Sequence, residues 1–346
     1  MNEKETNILD VKNLKVYFYT EEGEIRAVNN VTFSVKRNRI LGIVGESGCG
    51  KSVTSYSILR LIQKPGKIMG GEIIFNPPGK LPLDILKLGE KSEELFNLRG
   101  GDISMIFQEP MTALSPVLTI GNQVSEAILL HQDVDKKTAN AKAIEMLKRV
   151  GIPGPEKRMR QYPFELSGGM RQRVVIAMAL VCHPKLLIAD EPTTALDVTI
   201  QAQIMRLMKE LCVEMGSSVV LITHDLGVIA QMADDVAVMY LGRIIEEAES
   251  YDIMKDPKHP YTIGLLESLP GLHAKHEKLP SIKGSVPSLT QIPPGCPFHP
   301  RCPYNKEGFC DVGEPPPLME VEGHGRVACL RIDDVIADRK EKKNND

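Results

Sequence analysis

Gly45-Glu46-Ser47-Gly48-Cys49-Gly50-Lys51-Ser52 is a G-x-x-x-x-G-K-S run. It lies directly after an apolar stretch of strand length, Arg39 to Val44, and directly before one with helical periodicity, Lys51 to Gln63. Strand, glycine loop and helix in that order are the context the motif needs for phosphate binding. Glycines let the backbone wrap a phosphate chain so that N–H groups and the helix N-terminus face it, while Lys51 reaches the terminal oxygens and Ser52 ligates Mg²⁺. Val53 continues the first helical turn. An ordinary glycine-rich turn is the alternative, and the flanking strand and helix disfavour it. Cys49 fills a variable position beside the amides, where a thiol could react, although no base is paired with it.

The rest of the chain to about Ile245 is consistent with that start. Ile103 to Phe107, Leu186 to Ala189 and Val219 to Ile222 are continuous apolar runs, as expected of parallel strands covered on both faces. Thr138 to Val150, Gly168 to Cys182 and Val198 to Met215 repeat at the helical period between them. The reading is an α/β domain around a mostly parallel sheet. After Glu247 the composition changes: 13 of the 24 prolines and four of the seven cysteines lie between Pro257 and Cys329. Proline removes ladder donors and breaks helices, so loops pinned by something other than an apolar core are expected there, with Arg331 to Asp346 charged and frayed.

Leu186 to Ala189 runs into Asp190-Glu191-Pro192. A carboxylate at the strand tip, Asp190, suits the Mg²⁺ shell, and Glu191 one residue on suits a general base that polarises the attacking water. A solvated acidic loop is the alternative when this pair is taken alone. Leu166-Ser167-Gly168-Gly169-Met170 then supplies an N-cap serine and two glycines at a helix start, a second seat for an anion or simply a capped helix.

Together these residues resemble the ATP-binding cassette ATPases, with Met170 replacing the usual glutamine of the LSGGQ signature. The resemblance implies an α/β fold: an ABC-type phosphate-loop nucleotide-binding domain with a RecA-like core, an antiparallel β subdomain and a helical subdomain at about 109–182. It also implies roles. Gln108 is similar to the Q-loop glutamine that contacts Mg²⁺, water and the membrane partner, Thr194 to Asp197 to the D-loop, and His224 to the switch histidine that contacts the γ-phosphate. Phe18 falls near the adenine-stacking aromatic, while Tyr17-Phe18-Tyr19 also reads as the two faces of one strand. ATP would lie between 45–53 of one cassette and Ser167, Gly168 and Gly169 of another packed head to tail. Asp197 would complete the contact.

Beyond the core, Lys258-His259-Pro260-Tyr261, Ile282 to Leu289 and Gly295-Cys296-Pro297-Phe298-His299-Pro300-Arg301-Cys302-Pro303 resemble the oligopeptide/dipeptide importer ATPases, as does Phe107 to Pro116. The domains implied are a nucleotide-binding domain at 8–246, a Pro/Cys-rich C-terminal extension at 247–335 and a charged tail at 336–346. The implied partners are two transmembrane permease subunits, met around Gln108 and Met111 to His131, and a second related ATPase or a second copy. An extracytoplasmic peptide-binding protein would act indirectly. Di- and oligopeptides are the implied cargo, although related systems carry nickel or oligosaccharides.

Cys296, Cys302, Cys310 and Cys329 are spaced C-x5-C-x7-C-x18-C. Four thiolates can ligate one centre. Structural zinc favours tighter knuckles, a [4Fe–4S] cluster accepts looser ones, and the family resemblance also points to iron–sulfur. Zn²⁺, a ligand role for His299, and four free thiols remain alternatives. Cys182 and Cys212 read as core.

Forty-two Lys and Arg against 45 Asp and Glu give a net charge of -3. That leaves no basic field for a nucleic-acid backbone, so no nucleic acid is expected as a partner. The apolar runs are too short to cross a bilayer, and Met1 to Asp10 is too polar for a signal peptide. The chain is therefore expected to stay in the cytosol, and the family resemblance implies a peripheral position on the cytoplasmic face of the inner membrane.

Overall fold

The computed structural model describes residues 7–21, 23–108, 113–193, 197–269 and 281–345. Each of its two compact units is stitched from separate stretches of chain. The described residues within Met1–Leu9, Ser34–Ile40 and Ile74–Ile222 form the first, and those within Asp10–Phe33, Leu41–Ile73 and Thr223–Asp346 the second.

In the first unit, strand Leu186–Asp190 lies between Ile103–Ile106 and Ser218–Thr223, parallel to both, with Ile103 opposite Leu186 and Leu186 opposite Ser218. Every residue of Leu186–Asp190 and Ser218–Thr223 is buried, the expected result for strands that read as unbroken apolar runs. Helices Ile120–His131, Lys136–Arg149 and Gly168–Leu180 pack on one another and form the described part of the helical region. Residues 109–112, where that region was expected to begin, lie outside the described residues. Helix Gly168–Leu180 stops two residues short of the expected Cys182, and Val181 caps it. Cys182 is accordingly off the helix and only half-buried, with its sulfur 3.3 Å from the Ala127 carbonyl oxygen. Cys212, by contrast, is core as expected on helix Val198–Met215, and burial pushes its thiol up to about 12.

In the second unit, Ile40–Val44 pairs in parallel with Asp235–Tyr240, Leu41 opposite Asp235. Asp235–Tyr240 pairs antiparallel with Arg243–Glu249, which in turn pairs with Gly325–Val327 and so leads to Met319–Val321. The C-terminal region thus adds two strands to the sheet that carries the glycine loop, and strand Arg243–Glu249 runs across the boundary expected at 246. Gly23–Lys36, Asn7–Thr20 and Gly66–Phe75 lie side by side in a separate sheet.

Two expectations for this region are corrected. It has an apolar core of its own: Ile263, Val327, Cys329 and Val335 cluster, with Tyr304, Val321 and Ile332 packed on them. Residues 332–345 also form a helix rather than a frayed tail, because Val335 is fully buried in that cluster and Arg331 pairs with Asp334 at its start. Proline density did not prevent helix Pro260–Glu267, since Pro260 occupies the first turn, where its missing N–H costs nothing.

Candidate functional site

The glycine loop is shaped by positions that admit no side chain. Gly48 and Gly50 have φ of 78° and 103°, a region L-residues rarely enter. A Cβ on Gly45 would stand 2.1 Å from the Met239 carbonyl oxygen, and one on Gly50 2.2 Å from that of Ala27. The helix that follows, Lys51–Ile58, has no side-chain cap at Gly50, so its first N–H groups keep their capacity for an anion. Lys51 is buried, and its Nζ donates to the carbonyl oxygens of Gly45 at 2.8 Å and Glu46 at 3.0 Å. Ser47 and Gly48 are exposed, and Ser52 and Val53 half-buried. The helix ends at Ile58, earlier than the expected Gln63, as Arg60 turns to φ 53°. Cys49 is 1% exposed, and burial raises its thiol pKa against the opposing pull of Lys51. A reactive thiol is therefore not what this position holds.

Two contacts to the loop were invisible in the sequence. The Glu46 carboxylate receives Arg301 in a two-pronged pair, Nη1 to Oε2 at 2.8 Å and Nη2 to Oε1 at 3.1 Å, and the Glu46 N–H donates to the Tyr261 hydroxyl at 2.9 Å. No local spacing rule links residues 255 apart. Elsewhere in this unit, Phe18 is half-buried, its ring over the spot where a Gly66 side chain would stand, while Tyr17 bonds Asn29 and Tyr19 contacts Met69. His224 is exposed just past strand Ser218–Thr223, followed by Asp225, whose carboxylate caps helix Leu226–Met232.

In the first unit the acidic strand tip has the expected residues in distinct settings. Asp190 is fully buried at the end of its strand. Glu191 is half-buried and held at φ 45°, with its N–H donating to the Ile222 carbonyl at 2.9 Å. A non-glycine residue in the left-handed region costs on the order of 1–3 kcal/mol and persists only where its surroundings impose it, typically at functional sites. Part of that imposition is Gln172: its buried side-chain amide donates to the Pro192 carbonyl, tying helix Gly168–Leu180 to the acidic turn. Arg171-Gln172-Arg173 directly follows the signature-like run in the sequence, but nothing there assigns Gln172 this contact. Ser167 is exposed and its side chain accepts the Met170 N–H at 3.4 Å, the cap expected of it, with Gly168 and Gly169 half-buried behind it. Gln108 is exposed just beyond Ile103–Ile106. Asp197 caps helix Val198–Met215 through the Ile200 N–H. Thr194, Ala195 and Leu196 lie outside the described residues, as do Glu109 to Thr112.

The four C-terminal cysteines do come together. Cys296, Cys302, Cys310 and Cys329 line one small cavity, alongside His259 and Phe298. Burial raises the thiols of Cys296, Cys302 and Cys329, the last two to about 11 and about 12, and each thiolate further opposes its neighbours. Four sulfurs on one tetrahedral zinc stand about 3.8 Å apart, yet among the described residues no three His, Cys, Asp or Glu side chains converge to hold a single ion. The Nδ1 of His299 is hydrogen-bonded with the Cys296 carbonyl at 3.0 Å.

Residues 28–194 match the family described as ABC transporter, and residues 245–310 the one described as oligopeptide/dipeptide transporter, C-terminal region. The probable peptide ABC transporter ATP-binding protein y4tR of Sinorhizobium fredii (strain NBRC 101917 / NGR234) is 50% identical over 337 residues, 97% of this chain and 98% of its own. Dipeptide transport ATP-binding protein DppD of Bacillus subtilis (strain 168) is 51% identical over 318 residues, 92% of each chain. Among solved structures, the dimeric post-hydrolysis state of the ATP-binding cassette MJ0796 bound to ADP and Pi superposes with a TM-score of 0.61 at 30% identity. It covers 70% of this chain and 98% of that one.

Proposed function

The chain belongs to the ABC transporter ATP-binding proteins, within the oligopeptide/dipeptide group, and from that membership we propose that it hydrolyses ATP to energise import of di- and oligopeptides through a membrane permease. The observation that carries this reading is the glycine loop: left-handed glycines, an uncapped helix start and a buried lysine on the loop carbonyls. Backbone N–H groups of 45–53 and the Lys51 ammonium bind the phosphates. Ser52, Asp190 and Gln108 would hold Mg²⁺, which supplies positive charge against the phosphate oxygens. Glu191 accepts a proton from the attacking water, and His224 orients that water and the γ-phosphate. Phe18 stacks on the adenine.

Two cassettes, this chain with a related ATPase or with a second copy, pack head to tail so that Ser167, Gly168 and Gly169 of one face the phosphates held by the other, with Asp197 at the contact. The γ-phosphate then binds the closed pair better than the open one, and that differential affinity drives closure. Two permease subunits receive the motion. Exposed Val117, Leu118, Leu129 and Leu130 beside helix Ile120–His131 support that surface as the docking face, and an extracytoplasmic peptide-binding protein delivers cargo on the far side. No described helix is long and apolar enough to cross a membrane, in keeping with a peripheral subunit on the cytoplasmic face. Functionally, 8–246 is the nucleotide-binding domain, 247–335 the C-terminal domain and 336–346 its charged tail. Four cysteines lining one cavity support a shared centre there, and Cys296, Cys302, Cys310 and Cys329 would hold a [4Fe–4S] cluster as a structural staple, with Zn²⁺ the alternative.

The test is a pair of variants. Lys51→Ala loses ATP binding, whereas Glu191→Gln keeps it, falls at least 100-fold in turnover and accumulates an ATP-bound dimer on size exclusion. Normal turnover by Glu191→Gln would overturn the assignment of the base.

A further inference from the structure

The Arg301 side chain is 4% exposed, and all three of its guanidinium nitrogens donate. Its Nη1 and Nη2 together hold the Glu46 carboxylate, Nε donates to the Lys283 carbonyl at 3.2 Å, and Nη1 lies 3.5 Å from the Tyr240 hydroxyl. Its plane stands about 6 Å from the Tyr240 and Phe298 ring centres, at 5.9 and 6.0 Å. A planar fork held by a two-pronged carboxylate and a carbonyl is a rigid clamp, which a lysine could not reproduce. Beside it Tyr261, fully buried between the same two rings, accepts the Glu46 N–H. Glu46 is thus held by its carboxylate and its amide from the C-terminal region, while its carbonyl takes the Lys51 ammonium and the Cys49 N–H. One residue joins the tail, the loop and the phosphate-binding lysine.

We infer that Arg301 is a positioning residue for the phosphate loop, so that the C-terminal region sets nucleotide affinity through Glu46. The inference rests on the loop being the nucleotide site. Two physical effects act in the same direction. Arg301 cancels a carboxylate that would otherwise face a polyphosphate at the loop's edge, and with Tyr261 it fixes the backbone on which Lys51 depends. Glu46 is thereby made part of an ion pair rather than a repulsive charge. The residue before Cys302 is therefore tied directly to the loop that grips phosphate, and the cysteine pocket and the nucleotide site share a strut.

The test is ATP titration by calorimetry on the full-length chain with Mg²⁺, together with kcat and KM. Arg301→Ala is expected to weaken ATP binding about 10-fold or more and raise KM by a similar factor, with kcat changed far less. Arg301→Lys should fall between that variant and the parent. Adding Glu46→Gln to Arg301→Ala removes the uncompensated carboxylate and should recover most of the lost affinity, a rescue that general damage to the tail would not show. Unchanged affinity in Arg301→Ala, or no recovery in the double variant, overturns the inference. Lys51→Ala separates the two levels: if it binds ATP normally, the nucleotide-site reading itself fails, and if it loses binding while Arg301→Ala does not, only the role of Arg301 fails.

Discussion

The phosphate loop and the C-terminal region share one compact unit but are held by contacts of very different range. Apart from the tie at Glu46, the loop is closed by neighbours: Lys51 reaches carbonyls five and six residues back, and Thr54 bonds the Gly50 carbonyl through both its N–H and its hydroxyl. The C-terminal region is held by distant partners. His324 reaches Glu246 across 78 residues, and Arg301 reaches Glu46 across 255. Local geometry writes itself into a spacing motif, whereas long-range contacts leave no spacing to read.

The sharpest way to break this contrast is at Glu246, which is fully buried and accepts the N–H groups of Lys258 at 2.7 Å and His259 at 3.0 Å, with His324 Nε2 at 2.7 Å. Glu246→Ala strips an acceptor from the Lys258 and His259 amides and a hydrogen-bond partner from buried His324. It should cost about 3–5 kcal/mol in urea unfolding, while a substitution at exposed Ser47 costs less than about 0.5 kcal/mol. Equal losses at the two sites would erase the contrast.

A smaller effect is expected from pH. His259 is wholly buried and its pKa is lowered to about 4 by desolvation, against the pull of Glu246; it caps helix Pro260–Glu267 by accepting the Tyr261 N–H, with Phe298 packed nearby. The unfolded chain takes up a proton near pH 6.5 and the folded one only near 4, so folded stability is intact above about 6.5 and declines as pH falls through that window. The loss should reach about 3 kcal/mol near pH 4. His259→Asn keeps a capping side chain and removes the titration, so it should flatten the slope measured by urea midpoints between pH 7 and 4.5. An unchanged slope in that variant would show that His259 does not stay neutral.

Legibility followed the same division. The helix starts at Lys51, Gly168 and Val198, and the strand runs around Ile40, Ile103, Leu186 and Val219, were readable because period, caps and glycine spacing are local signals. Helix Lys51–Ile58 ended early because a left-handed Arg60 is not encoded by composition. The tail was misjudged as coreless and frayed because its apolar residues, Ile263, Val327 and Val335, are scattered singly and gain a core only when distant segments meet. At the site, loop, acidic tip and signature cap were legible residue by residue. Gln172, Tyr261 and Arg301 were not, since each acts through a partner chosen by the fold.

If Arg301 couples the tail to Glu46, nucleotide binding engages the C-terminal region as well as the loop. Hydrogen exchange of the full-length chain with and without Mg-ATP measures this directly. Amides of 47–52 and of 296–302 should gain protection together at the same ATP concentration. Protection confined to the loop, with the cysteine-bearing segment exchanging as before, would contradict it.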